Sequence, residues 1–214
     1  MNSVDVAKWF IVNNHDVTSE SWDSKIKLQK LIFYSQAMHL AKAEEPLFPD
    51  KIEAWRYGPV VREVNRQVEH EHLIPTVNFQ GANFDCVDSD IIHLLKTVNF
   101  IYGHKTSHEL VGLTHSEEPW KALEEKALRA ENPVITLDSI RSYYRPLKEI
   151  FEAHKDFDFD SHKVEFINGN RFVYNYKETS LTDVDKEELW GFGFEETSGS
   201  FFIYKDEEGE LVVY

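Results

Sequence analysis

Apolar positions recur at helical spacing through the first two-thirds of the chain and at alternating spacing in the last third. Over residues 3–14, Val4, Ala7, Phe10 and Ile11 share one stripe and predict a short amphipathic helix. The next helix, capped by Asp23 or Ser24, runs to about Ala43. Leu28, Leu31 and Ile32 make one apolar face; Phe33, Ala37, Leu40 and Ala41 make another, a girth that suits the centre of a bundle. Pro46 and Pro49 stop it. Residues 52–57 read as either an extended stretch or a short turn. Gly58 then frees the backbone, and Pro59 predicts a helix start ahead of Val60, Val64 and Val68. A loop is expected from Pro75 to Asp88, and a helix over Ile91–Ile101 that Gly103 ends. Thr106-Ser107-His108-Glu109 is a capping box. Pro119-Trp120 opens another helix, with Thr114 or Ser116 as its cap and Leu123 and Ala127 inward. Asp138 starts a last helical stretch, which Pro146 kinks or splits.

After Phe157 the period changes. Val164–Ile167, Asn168-Gly169 and Asn170–Tyr174 form a hairpin signal, because both turn residues tolerate positive φ. A second hairpin joins 201–204 to 211–214 through Asp206-Glu207-Glu208-Gly209, and Thr182–Trp190 suits a short helix. The expected fold is mainly α: a compact multi-helix domain over residues 1–155, then an acidic β-hairpin extension over 156–214, α+β overall.

Charge is uneven across these parts. The net charge of -15 includes six basic against sixteen acidic residues over 151–214, a net of -10, which leaves -5 for residues 1–150. Such a surface disfavours phosphate backbones and attracts basic partners. One cysteine, Cys86, permits no internal disulfide. No apolar run approaches the roughly 18 residues of a membrane helix, and Met1–Asp5 resembles no signal peptide, so a cytoplasmic protein without membrane contact is expected.

Catalytic patterns are sparse. Gly191-Phe192-Gly193 precedes no helix signal, and no activated-serine elbow is present. Cys86 reads as an ordinary loop thiol. His70 and His72 would point to different faces of a helix, and Asp156–Asp160 lacks the glycine and glutamate of a calcium loop. Neither a catalytic residue nor a cofactor or metal is assigned. The opposing reading is a small metal-dependent hydrolase built on His104, His108, His115 and Glu118. Another is an acidic decoy for nucleic-acid-binding proteins, resting on the charge of 151–214 alone.

Three segments carry chemistry that a plain bundle does not need: Lys27–Tyr34, Glu53–Val61 and Leu110–Trp120. Leu28, Gln29, Trp55, Gly58, Pro59, Pro119 and Trp120 read as structural, with both tryptophans buried. Lys27, Lys30, Tyr34, Arg56, Tyr57, Arg62, His115 and Glu118 are the candidate partner-binding residues. Buried, they require polar partners; exposed, they suit a protein-recognition face.

The strings Lys27-Leu28-Gln29-Lys30-Leu31-Ile32-Phe33-Tyr34, Pro46-Leu47-Phe48, Glu53-Ala54-Trp55-Arg56-Tyr57-Gly58-Pro59-Val60-Val61 and Leu113-Thr114-His115-Ser116-Glu117-Glu118-Pro119-Trp120 together resemble the Panacea domain of SocA-like antitoxins, over roughly residues 5 to 150. The resemblance implies a compact helical domain of bacterial or phage origin that neutralises a cognate toxin by direct contact. It also implies, for one branch, an adaptor that hands the toxin to a protease. It implies no catalytic centre. The acidic C-terminal segment lies outside it.

Overall fold

The computed structural model describes residues 1–192 and 199–214, so Gly193 of the glycine pair lies outside the described residues. The chain divides into two compact units, Met1–Asp156 and Phe157–Tyr214.

In the first unit, helix α1 (Ser3–Asn13) starts at an Asn2–Asp5 capping box. Helix α2 (Trp22–Ala43) is capped by Ser21, whose hydroxyl accepts from the Ser24 N–H; Asp23 sits inside the first turn, where its charge suits the helix dipole. Fifteen of the 22 residues of α2 are buried, in agreement with its all-round apolar girth. Strands β1 (Ile52–Trp55) and β2 (Gly58–Val61) form a hairpin, and α3 (Arg62–His70) follows at once. Pro59 therefore lies in a strand, not at a helix start. Trp55 pairs with Gly58 around the two-residue Arg56-Tyr57 turn, so alternation leaves Pro59, opposite Ala54, facing away from β1. A missing N–H costs nothing at that edge.

The expected loop at Pro75 is a helix, α4 (Leu73–Gln80). Pro75 occupies its first turn, where no N–H is needed, and Leu73, Ile74 and Val77 are buried, with α4 packed against α1. Helices α5 (Ser89–Tyr102) and α6 (Ser107–Ser116) begin at Asp88 and at the Thr106–Glu109 box. Short helices α7 (Glu118–Lys121) and α8 (Glu124–Leu128) lead to β3 (Val134–Ile135), which pairs with β1 to give the sheet order β2-β1-β3. Pro146 splits the last stretch into α9 (Leu137–Tyr144) and α10 (Leu147–Ala153). Helix α2 touches α1, α3, α5, α6, α9, α10 and β2, so the core is built around it.

The second unit is α+β. Strands β4 (His162–Ile167) and β5 (Asn170–Asn175) join through Asn168 and Gly169, both left-handed at φ 49° and 79°. Helix α11 (Asp183–Gly191) starts at a Thr182–Asp185 box. Strand β6 (Ser200–Lys205) pairs in parallel with β5 and antiparallel with β7 (Leu211–Val213), so the two expected hairpins share one sheet. Ile167, Phe172, Tyr174, Leu189 and Ile203 form a core of their own. Among the described residues, no helix is long and apolar enough to cross a membrane.

Candidate functional site

The outer edge of β2 explains the polar residues of the first segment. Alternation turns the Pro59 carbonyl and the Val61 N–H away from β1. Lys30 Nζ donates to the Pro59 oxygen at 3.1 Å, and the Val61 N–H donates to Gln29 Oε1 at 2.8 Å. One turn of α2 thus satisfies an edge that would otherwise stay open inside the protein. Lys30 is 0 % exposed, and burial pushes its ammonium down to about 7.

Gly58 closes over this contact at φ +102°, and a Cβ there would lie 2.6 Å from Lys30 Cε and 2.8 Å from Thr114 Oγ1. Gly58→Ala is therefore expected to cost about 1–3 kcal/mol, from strain at positive φ together with overpacking. Gly112→Ala, in open space on α6, should instead stabilise by roughly 0.5–1 kcal/mol. Urea unfolding of the two variants should move the midpoint in opposite directions.

Behind the hairpin lies a buried carboxylate. The Tyr34 hydroxyl donates to both Glu117 oxygens, at 3.2 and 3.0 Å, and the Tyr144 hydroxyl donates to Oε2. Tyr102 stacks on Tyr34, centroids 4.0 Å apart and planes 3° apart. Glu117 is 8 % exposed, and burial pushes its pKa up to about 7, against the pull of the two tyrosine bonds. Burial, then the Glu117 charge, holds Tyr34, Tyr102 and Tyr144 well above the usual phenol range. Glu117 also replaces the expected Thr114 or Ser116 at the start of α7. Those two hydroxyls bond back to α6 carbonyls, Thr114 to Leu110 and Val111, Ser116 to Leu113.

His115 stacks on Trp120 at 3.7 Å and 7°, and Trp120 Nε1 donates to the Trp55 carbonyl at 2.8 Å. Burial first, then the Lys30 charge, holds the His115 imidazole below its ordinary value. His104 lies in the turn after α5, His108 is exposed on α6 and Glu118 is exposed on α7. Among the described residues, no group of three or more histidine, cysteine or acidic side chains could hold a metal ion.

Burial sorts the candidate recognition residues. Lys27, Lys30 and Tyr34 face inward and are buried, so the structure does not place them on the exposed face. Lys27, 3 % exposed, is ion-paired with Asp16 at 2.5 Å. Their polar groups already bond protein atoms: Asp16, the Pro59 carbonyl and Glu117. Of the two tryptophans expected inside, Trp120 is buried and Trp55 is half-exposed.

Arg56, Tyr57, Arg62 and Glu118 are exposed, and His115 is half-buried. Tyr57, at the hairpin turn, meets Trp22 edge-to-face at 5.0 Å, with exposures of 45 % and 54 %. Glu53 anchors the flank by accepting from Trp55 Nε1 at 2.9 Å and pairing with Arg62 Nε at 3.1 Å. Sequence reasoning missed Trp22, which precedes the stripe of α2, and Glu117, whose tyrosine partners are 83 and 27 residues away. The one signal for Trp22 was a large aromatic residue beside a serine cap.

Residues 28–121 match the family described as antitoxin SocA-like, Panacea domain. The matched stretch begins one residue after Lys27 in α2, ends with α7 and includes the whole β1–β2 hairpin. No curated protein and no solved structure matches the chain.

Proposed function

We propose, from the premise that residues 28–121 form a Panacea domain, that this protein neutralises a cognate toxin by direct protein–protein binding. The observation that carries the reading is the exposed Trp22–Tyr57 pair beside Arg56 and Arg62. Tryptophan, tyrosine and arginine are the side chains that dominate protein–protein binding energy. The turn that presents Tyr57 and Arg56 is held from behind by Gln29, Lys30 and Trp120, so little conformational freedom is lost on docking. The mechanism is steric cover or distortion of the toxin's working surface, and no bond is made or broken. An interface of about 1,200–2,000 Å² suits such a complex. The net charge of -15 favours a basic toxin and speeds encounter at low salt.

The test is co-expression with the product of the adjacent reading frame. That product should stop growth alone and be tolerated beside this protein. Tyr57→Ala combined with Arg56→Glu should weaken the complex by at least about thirtyfold, the effect of losing one hot spot. The unfolding midpoint should stay where it is, because both side chains are exposed. A neighbour that is harmless alone, or full rescue by the double variant, would refute the reading.

A further inference from the structure

The sheet of the first unit has two edges, and they are treated differently. The β2 edge is closed by Gln29 and Lys30. The β3 edge is not. The Ala54 N–H donates to the Pro133 carbonyl at 2.8 Å, and Ile52 lies opposite Ile135. Ladder alternation therefore turns the Val134 N–H and C=O away from β1. The backbone stays extended through Thr136, whose N–H continues the same outward row. Its carbonyl is used by Ile140 and Ser139 at the start of α9. No hydrogen bond to the Val134 N–H, the Val134 carbonyl or the Thr136 N–H is made by any other described residue. Val134 is 44 % exposed, and the side chains of Val134 and Thr136 lie on one face while Ile135 is buried on the other.

That open edge borders a groove of about 490 Å³. Pro119, Ala122, Leu123, Val134 and Tyr143 give it mostly apolar walls, and among the described residues Glu118 is its only ionisable wall besides the Tyr143 phenol. The volume lies within the roughly 300–1,000 Å³ of ligand pockets and accommodates one or two aliphatic side chains. Burial first, then the charges of Glu117 and Glu118, disfavours the Tyr143 phenolate, and the Glu118 carboxylate stands exposed in the groove wall. An incoming cation is therefore favoured at this mouth, and an incoming carboxylate is not.

From the open ladder, the groove and the acidic mouth, we infer that β3 accepts an extended segment of the partner protein as an added strand, with an apolar side chain in the groove and a lysine or arginine beside Glu118. Three outward backbone groups in a row define an extended chain as the occupant, because a helix has no free N–H or C=O to offer along its side. Alternation of the added strand sends every second side chain toward the groove, so the recognised pattern is an apolar residue and a lysine or arginine two positions apart. This deepens the proposed function: it supplies a second point of attachment for the same toxin, and it rests on that reading for the source of the segment.

The experiment uses the full chain and a fluorescein-labelled peptide with threonine at every second position and valine and lysine in turn at the positions between. Its counterpart carries glutamate for lysine. At physiological salt the basic peptide should bind saturably, and the acidic one at least about tenfold more weakly. Ala122→Trp, which fills the groove, should weaken the basic peptide about tenfold. Val134→Pro removes the outward N–H but leaves the bonds to β1, and should do the same. Hydrogen exchange of the Val134 and Thr136 amides should slow when the peptide is added. Absent saturation, unchanged affinity in Ala122→Trp, or unprotected amides at 134 and 136 would overturn the inference. None of these readings involves toxin rescue, so failure here with rescue intact removes only the strand-addition site. Loss of rescue with this binding intact removes only the antitoxin role.

Discussion

Trp120→Ala is expected to lower the stability of the helical unit by about 3–5 kcal/mol, the range for deleting a large aromatic side chain from a packed core. The indole is 1 % exposed and lies flat against His115. Its N–H also holds the Trp55 carbonyl, at the base of the Arg56-Tyr57 turn. The variant therefore empties a core position and unties the hairpin that carries the proposed recognition face. Trp120→Phe keeps much of the volume and loses the hydrogen bond, so a cost nearer the ~1 kcal/mol of one such bond is expected beyond the lost volume. Urea unfolding separates the two. A loss below about 1 kcal/mol in Trp120→Ala would mean that the indole is not the support described above.

Glu117→Gln should remove a pH dependence of stability. In the folded state the Glu117 pKa is pushed up from 4.5 to about 7. The folded protein then holds a proton that the unfolded chain has already released. The stability from this group is fully present below about 4.5 and is lost as pH rises to about 7. The expected size is roughly 3 kcal/mol, from the conversion of a pKa difference into free energy. Lys30 works in the opposite sense and in another window. Its pKa falls from 10.5 to about 7 on folding, so its cost is largest below 7 and is relieved as pH climbs toward 10.5. His115, held below its ordinary 6.5, adds a smaller rise with pH on the acid side. Between pH 4.5 and 10.5 the wild-type protein should thus be least stable near neutrality. Glu117→Gln keeps an oxygen for Tyr34 and Tyr144, so only the rising limb should remain, with a gain in stability above pH 7. Denaturant titrations across the pH range would show it; an unchanged fall between pH 4.5 and 7 would place the responsible proton elsewhere.

Helices with a clear period and a local cap were legible in the chain. Helices α1 and α5 appear where their stripes put them and α6 where its capping box puts it, and Asn168-Gly169 makes the turn its chemistry favours. The β1–β3 pairing was not legible. Strand β3 is two residues long, and Val134 finds Glu53 across the whole helical unit. Pro59 misled because proline suits both a helix start and a sheet edge; only the Ala54–Pro59 register distinguishes them. At the candidate site, Arg56, Tyr57 and Arg62 stood out by residue type within an unusual segment, and all three are exposed. The inward facing of Lys27, Lys30 and Tyr34 was hidden because α2 is apolar on nearly every side, so no stripe marks which polar residue points where.

That envelopment of α2 bears on how such a chain can diversify. A helix with 15 of its 22 residues buried, packed against α1, α3, α5, α6, α9, α10 and β2, offers selection few neutral substitutions, since a change at a buried position is felt by its packed neighbours. The hairpin turn, the first residue of α2 and the border of β3 are under no such constraint. A lineage built on this scaffold can vary those few exposed positions while its central helix stays nearly fixed.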